Sequence, residues 1–204
     1  MPIATILDYL SGNSGLTEEK IYQSITVEGQ RYIVLSGSTQ EENIFGAAPR
    51  YSIDGKELKT FEDKAGILVV RKGKAGSTSF IKEGKYMIND DAYILYLKAQ
   101  LRYEISLKWL MIQYRDIFYE YASSSDNGTW NMTRFSENVK IDIPLYDEQI
   151  ELVRKHENLE RIENQLRKIR SKFELLLTKQ IVASSHQCPS LYPIIFHSFF
   201  IGYG

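Results

Sequence analysis

The sequence predicts an α+β protein: a mainly β domain with packed helices over residues 1–144, then one long helix over residues 145–180. Three observations predict it. Short apolar segments alternate with Gly, Asn, Asp and Ser clusters through the first hundred residues, which is the punctuation of a sheet. From Leu101 to Tyr121 the apolar positions switch to helical spacing. From Asp147 to Gln180 there is neither glycine nor proline.

Taken in order, the predicted strands are Tyr32–Leu35, Ile67–Val70, Ser79–Ile81, Tyr86–Ile88 and Ala92–Leu97, rich in the β-branched and aromatic residues that fit a half-buried pleated surface. The Leu101–Tyr121 segment places Leu107, Leu110, Tyr114, Ile117 and Tyr121 on one stripe, so it is expected to pack on the sheet. Residues Ser123 to Thr129 are turn formers, too polar for a core. In the long helix Leu152, Leu159, Ile162, Leu166, Ile169, Phe173 and Leu176 recur at alternating steps of four and three, interrupted by Lys155, which is a heptad seam. Such a seam needs a partner, and no second helix of similar length exists in the chain. Another copy or another protein is therefore expected to pair with it. The apolar stretch 181–204 is broken by Pro189 and Pro193 and falls short of the roughly 20 uninterrupted apolar residues of a spanning helix. It either folds back or is a poorly ordered end; the loss of charge after Lys179 favours the second.

Composition narrows the function classes. A chain of 204 residues with 43% hydrophobic content buries one sizeable core plus an appendage. The single cysteine, Cys188, allows no internal disulfide and no thiol pair for zinc, which points to a reducing compartment, the cytoplasm. Met1 to Leu10 carries Asp8 and no basic residue before an apolar run, unlike a signal peptide, and the sequons at Asn127 and Asn131 are then chance. His156, His186 and His197 are scattered, so no metal site is expected. Neither a Gly-rich cofactor loop, a Walker-type loop nor an Asn-Pro-Pro-aromatic motif of amino-methyltransferases is present, so neither catalytic residues nor a cofactor are assigned to this chain. The nearest thing to an active site is the acidic-x-Lys pattern at Glu57-Leu58-Lys59 or Glu62-Asp63-Lys64, which reads better as charged surface turns.

Charge is concentrated at one place. The net charge is −1, yet Arg71, Lys72, Lys74, Lys82 and Lys85 face only Glu83 between positions 71 and 85. A local basic patch on a balanced protein points to an anionic partner. A solvated hairpin with protective lysines is the plain alternative. The aromatics Tyr93, Tyr96, Tyr103, Trp109, Tyr114 and Phe118 alternate with aliphatics, the pattern of a core rather than of a base-stacking platform.

Three blocks together resemble the specificity subunits of type I restriction-modification enzymes. The first is Val70-Arg71-Lys72-Gly73-Lys74-Ala75-Gly76, running through Gly84-Lys85 to Asn89-Asp90-Asp91-Ala92-Tyr93-Ile94-Leu95. The second is the Ser-rich loop Ser123–Thr129 with Asn131, and the third is Ile141-Asp142-Ile143-Pro144-Leu145 with Glu148-Gln149. The likeness covers residues 1 to 180 and one recognition domain plus one spacer helix, where a typical member has two of each; Tyr146 stands where a second proline is common. It implies a half-subunit that pairs as a homodimer to read an interrupted palindrome, or a truncated allele. It also implies double-stranded DNA and methyltransferase subunits as partners, with S-adenosylmethionine and Mg²⁺ held by those partners and no chemistry performed by this chain. Arg71, Lys72, Lys74 and Lys85 are then the expected phosphate or base-edge contacts, with Arg50, Asn127, Thr129 and Arg134 as further candidates. A long helix of about 50 Å, at 1.5 Å per residue, would set the distance between two modules.

Overall fold

A computed structural model describes residues 1–37, 44–52, 55–123 and 128–187. The chain forms two compact units, Met1–Val153 and Arg154–Gly204.

In the first unit the apolar alternation builds eight strands among the described residues: β1 (Leu7–Ser11), β2 (Arg31–Leu35), β3 (Ile44–Pro49), β4 (Phe61–Glu62), β5 (Gly66–Val70), β6 (Thr78–Ile81), β7 (Lys85–Ile88) and β8 (Ala92–Leu97). They make two sheets, ordered β1-β8-β5-β6 and β3-β2-β7-β4. The first is antiparallel throughout, and the second contains one parallel pair, β2 with β7. All five residues of β5 are buried. Its two faces serve different layers, which explains an unbroken apolar run where a half-exposed strand would alternate. Ile67 and Val69, with Leu95 of β8, pack against Trp109, Leu110, Phe118, Trp130 and Phe135. Leu68 and Ile94 pack the other way, on Leu35, Phe61 and Ile88 of the second sheet. The far face of that sheet buries Tyr32, Val34 and Met87 under Ile21 of helix α1 (Glu18–Gln23). Each fully buried large side chain contributes about 1.5–3 kcal/mol.

The expected helix over Leu101–Tyr121 is two short helices, α2 (Leu107–Gln113) and α3 (Arg115–Glu120). Ser106 is the reason for the late start, because its hydroxyl caps α2 by accepting from Trp109 N–H at 3.3 Å. The break falls at Tyr114 (φ −108°, ψ 19°), whose phenolic oxygen accepts from Asp142 N–H at 3.0 Å. Of the expected stripe, Leu107 and Leu110 are buried and Tyr114, Ile117 and Tyr121 pack half-buried against the same core, while Phe118, off that stripe, is fully buried because the break turns α3 about its axis relative to a continuous helix. Helix α4 (Met132–Asn138) follows the polar loop and is capped by Asn131, whose side chain accepts from Arg134 N–H at 2.9 Å.

Two buried amides join segments distant in sequence. Asn13 donates to the carbonyls of Lys59 at 3.0 Å and Ile88 at 3.2 Å and accepts from Lys59 N–H at 2.8 Å. Gln149, with no exposed surface, accepts from Ser106 N–H at 2.9 Å and donates to the carbonyls of Glu104 at 3.2 Å and Pro144 at 3.0 Å. The start of the unit is stitched to its end. Ile3 N–H donates to Val139 O at 2.9 Å, Ile141 N–H to Met1 O at 2.8 Å, and the Met1 ammonium to Ile141 O.

Helix α5 spans Tyr146–Gln187, past the expected end at Gln180. Its first turn carries half of a capping box, with the Glu148 carboxylate accepting from Leu145 N–H at 3.0 Å. Within the first unit Val153 is buried and Leu152 packs, half-buried, against the core. In the second unit the helix carries the i,i+4 ion pairs Arg170–Glu174 at 2.9 Å and Glu163–Arg167 at 3.9 Å, each worth a few tenths of a kcal/mol at most. Its seam residues Leu159, Ile162, Leu166, Ile169, Phe173 and Leu176 are exposed. Among the described residues no helix is long and apolar enough to cross a membrane. Most of the 181–204 tail, from Cys188 onward, lies outside the described residues.

Candidate nucleic-acid interface

After β5 the chain turns through Arg71–Ser77 before entering β6. The turn closes on itself: Gly76 N–H donates to Val70 O at 2.9 Å, Val70 N–H to Ser77 O at 2.9 Å and Ser77 N–H to Lys74 O at 3.0 Å. Gly73 (φ 79°) and Gly76 (φ 84°) supply the left-handed conformations it requires. At Gly76 there is also no room for a side chain, since a Cβ would lie 2.7 Å from the Phe118 carbonyl oxygen.

Two other segments hold this turn. Arg71 N–H donates to Asp91 O at 2.7 Å, and Trp130 N–H donates to Arg71 O at 2.8 Å. Lys72 and Thr129 form an antiparallel bridge. Residues 71–77, 89–91 and 129–130 therefore meet at one place, though the sequence separates them widely. Asn89 shapes the middle segment, with its side chain accepting from Asp91 N–H at 3.2 Å and donating to the Asp91 carboxylate at 3.1 Å.

The side chains change the electrostatic picture drawn from sequence. Arg71 Nη1 donates to Asp90 Oδ1 at 2.9 Å and to the Asp90 carbonyl at 3.2 Å. Lys72 Nζ lies 3.2 Å from Asp90 Oδ2 and 3.4 Å from Asp91 Oδ1. The hydrogen bond to Asp90 raises the Lys72 pKa against the opposing effect of desolvation, so this lysine stays charged. The patch that looked almost purely basic along the chain is thus partly neutralised in space. The Arg71 guanidinium also sits 5.9 Å from the Tyr93 ring centroid, and Tyr93 packs on Trp130 with centroids 5.8 Å apart. Lys74 is exposed and makes no ion pair among the described residues.

The structure sorts the candidates into two groups. Arg71, Lys72, Lys74 and Thr129 share the turn and the bridge, and Arg134 follows on the exposed side of α4; Asn127 lies outside the described residues. Arg50 and Lys85 belong instead to the second sheet. Arg50 is ion-paired with Glu57 at 2.8 Å, and Lys85 opens β7 opposite Glu62. Glu62 is held below the usual carboxylate range, first by the Thr60 hydroxyl at 2.7 Å and then by the Tyr32 hydroxyl, with the charges of Arg50 and Lys85 adding to the effect. The Glu57 carboxylate of the acidic-x-Lys pattern is therefore engaged by Arg50. Among the described residues no cluster of three or more His, Cys, Asp or Glu is arranged to hold a metal. Trp109 and Phe118 are core residues, while Tyr103 is exposed.

No family model and no curated protein matches the sequence. Solved structures do match. An S subunit of the type I restriction-modification system from M. genitalium aligns over 80% of this chain and 39% of its own, with 19% identity and a TM-score of 0.50. A chain from work on complex assembly and conformational transition of the type I system aligns over 88% and 42%, with 17% identity and a TM-score of 0.63. The HsdS subunit from Thermoanaerobacter tengcongensis aligns over 91% and 43%, with 14% identity and a TM-score of 0.60. The chain has the type I S-subunit fold. It spans about two-fifths of the length of each of these chains.

The S-subunit fold makes physical sense of the three blocks noted in the sequence. The turn and its downstream strand are hydrogen-bonded through Arg71 and Asp91, and the Ser-rich loop joins them through Thr129 and Trp130. The third block opens α5, where Gln149 is the buried anchor. Sequence reasoning missed Asp90 as a member of the site. Its signal was there, an acidic pair inside the first block, but only the fold shows which cations it meets.

Proposed function

We propose that this chain is a DNA-sequence-recognition module of the type I restriction-modification kind, which binds duplex DNA and positions methyltransferase subunits, and through them a restriction subunit, at a bipartite site. One observation carries the reading: a basic turn, an Asx-shaped acidic turn and a polar loop converge on a fold matched by S subunits. Lysines of the turn would set register and salt dependence, and arginine would read a base edge. S-adenosylmethionine and Mg²⁺ belong to the partner chains, and the complex works in the cytoplasm.

The exposed seam of α5 supports pairing with a second copy. Charge along the helix favours the antiparallel arrangement. Asp147, Glu148, Glu151, Glu157, Glu160 and Glu163 dominate its first half, and Arg167, Lys168, Arg170, Lys172 and Lys179 its second. Antiparallel copies set acidic halves against basic ones, whereas parallel copies stack like on like. The helix, 42 residues at 1.5 Å each, is about 63 Å long and exceeds one DNA turn of about 34–36 Å. An isologous pair of this kind would read an interrupted palindrome.

Selection from a random duplex library, with the protein alone and with a methyltransferase subunit, is expected to enrich a split motif. Affinity should fall with salt by about 0.9 log units per phosphate contact for each log unit of salt. Absence of enrichment in both arms, with folded protein, would replace this reading with that of a helical scaffold. For the seam, the double variant Leu166→Asp, Ile169→Asp is expected to sediment as a monomer with the first unit still folded. A dimer persisting in that variant would refute the helix pairing.

A further inference from the structure

The Arg71 guanidinium is held at one point only. Both of its side-chain hydrogen bonds to Asp90 come from Nη1. Its Nη2 and Nε have no partner among the described residues. Among the described residues no buried side-chain nitrogen or oxygen lacks a partner, so these two atoms are not buried, and the side chain as a whole retains 30% of its exposure. Nε and Nη2 form one edge of the guanidinium, two parallel donors in the spacing that matches the O6 and N7 of guanine or two oxygens of a phosphate. A clasp whose purpose was to fasten the turn would use that two-donor edge on the carboxylate. Here the carboxylate takes the third nitrogen and leaves the fork free.

The rest of the arrangement immobilises the fork. Asp90 Oδ2 is engaged by Lys72, so the carboxylate itself is fixed from both oxygens. The Arg71 backbone is bonded on both sides, by Asp91 O and Trp130 N–H. The guanidinium also lies over Tyr93, itself packed on Trp130. An arginine on a free loop loses rotamer entropy when it meets its target; one buttressed in this way has already lost it.

We infer that Asp90 is a positioning residue for Arg71, and that Arg71, with its Nε–Nη2 edge presented, is the base-reading residue of the turn, taking a guanine in duplex DNA. The inference rests on the DNA-recognition reading above and goes beyond it by assigning one residue to base readout and one to its orientation. Asp90 carries negative charge beside a DNA-facing turn, which opposes binding to every sequence equally. Its benefit is selectivity.

The test compares the motifs selected from a random duplex library by the full chain, by Asp90→Asn and by Arg71→Lys, together with the salt dependence of binding. The wild type is expected to select a motif containing a guanine whose preference drops roughly ten-fold or more in Asp90→Asn, while its affinity for non-specific duplex stays level or rises. Arg71→Lys keeps the charge and removes the fork, so it should lose the same guanine with an unchanged salt slope. If Asp90→Asn fails to fold, Arg71→Lys still decides. Variants that keep the full motif and shift affinity equally for all sequences would show that Asp90 only neutralises charge, and would overturn the inference while leaving the recognition reading intact. A wild type without any motif would overturn the recognition reading and, with it, this assignment.

Discussion

Gln149→Leu is expected to destabilise the first unit by about 3–5 kcal/mol, a large share of the roughly 5–15 kcal/mol of a typical domain. The side chain volumes are close, so no cavity forms and the loss is polar. Three backbone groups, Ser106 N–H and the carbonyls of Glu104 and Pro144, lose their partner at once. Each group left dry costs about 1–3 kcal/mol. Thermal unfolding should shift down by roughly 10 °C. A shift of only a degree or two would mean that water replaces the amide and that Gln149 is no anchor.

The second large effect is expected at Gly76, and Gly73 provides its control. Both have positive φ, 84° and 79°. Around Gly73 a Cβ would meet nothing within 4 Å, so Gly73→Ala carries only the conformational cost of about 1–2 kcal/mol. At Gly76 the same Cβ would lie 2.7 Å from Phe118 O and 2.9 Å from Tyr119 Cα, and backbone must move to admit it. Gly76→Ala should therefore cost clearly more, about 3 kcal/mol or above. Denaturant midpoints of the two variants measure the difference. Equal losses would remove the packing of the turn on α3 as an explanation of the glycine.

The residues show why some of this architecture is legible in sequence and some is not. β5 announces itself because its side chains are buried on both faces, and β8 because Ile94 and Leu95 are buried on opposite faces among half-buried aromatics, so composition alone marks both. The long helix is equally plain, since nothing in it opposes helix formation. β3, Ile-Phe-Gly-Ala-Ala-Pro, has little intrinsic strand preference; pairing with β2 makes it a strand, and its place at the sheet edge tolerates Pro49. β4 is two residues long and exists through its pairing with β7. The break at Tyr114 is accompanied by a hydrogen bond from Asp142 N–H to its hydroxyl, a long-range contact that periodicity cannot show. At the site the basic turn was visible as a run of charge. Its counter-charges were not, because Asp90 lies 19 residues from Arg71 along the chain. Charge read along a sequence is one-dimensional, and the field at a surface is not.

The hydrogen bonds joining Met1 and Ile3 to Val139 and Ile141 have a consequence for how the molecule is made. During synthesis residues 1–3 emerge well before their partners at 139–141, which lie near the end of the same unit. β1 can already pair with β8 once residue 97 is out, but the seal across Pro2 and Lys140 waits for over forty more residues. Until then Ile3 and Ile6, both buried in the finished fold, lack part of their cover. Completion thus waits for the short segment between α4 and α5. A nascent chain stalled before residue 139 would hold the sheets without that seal.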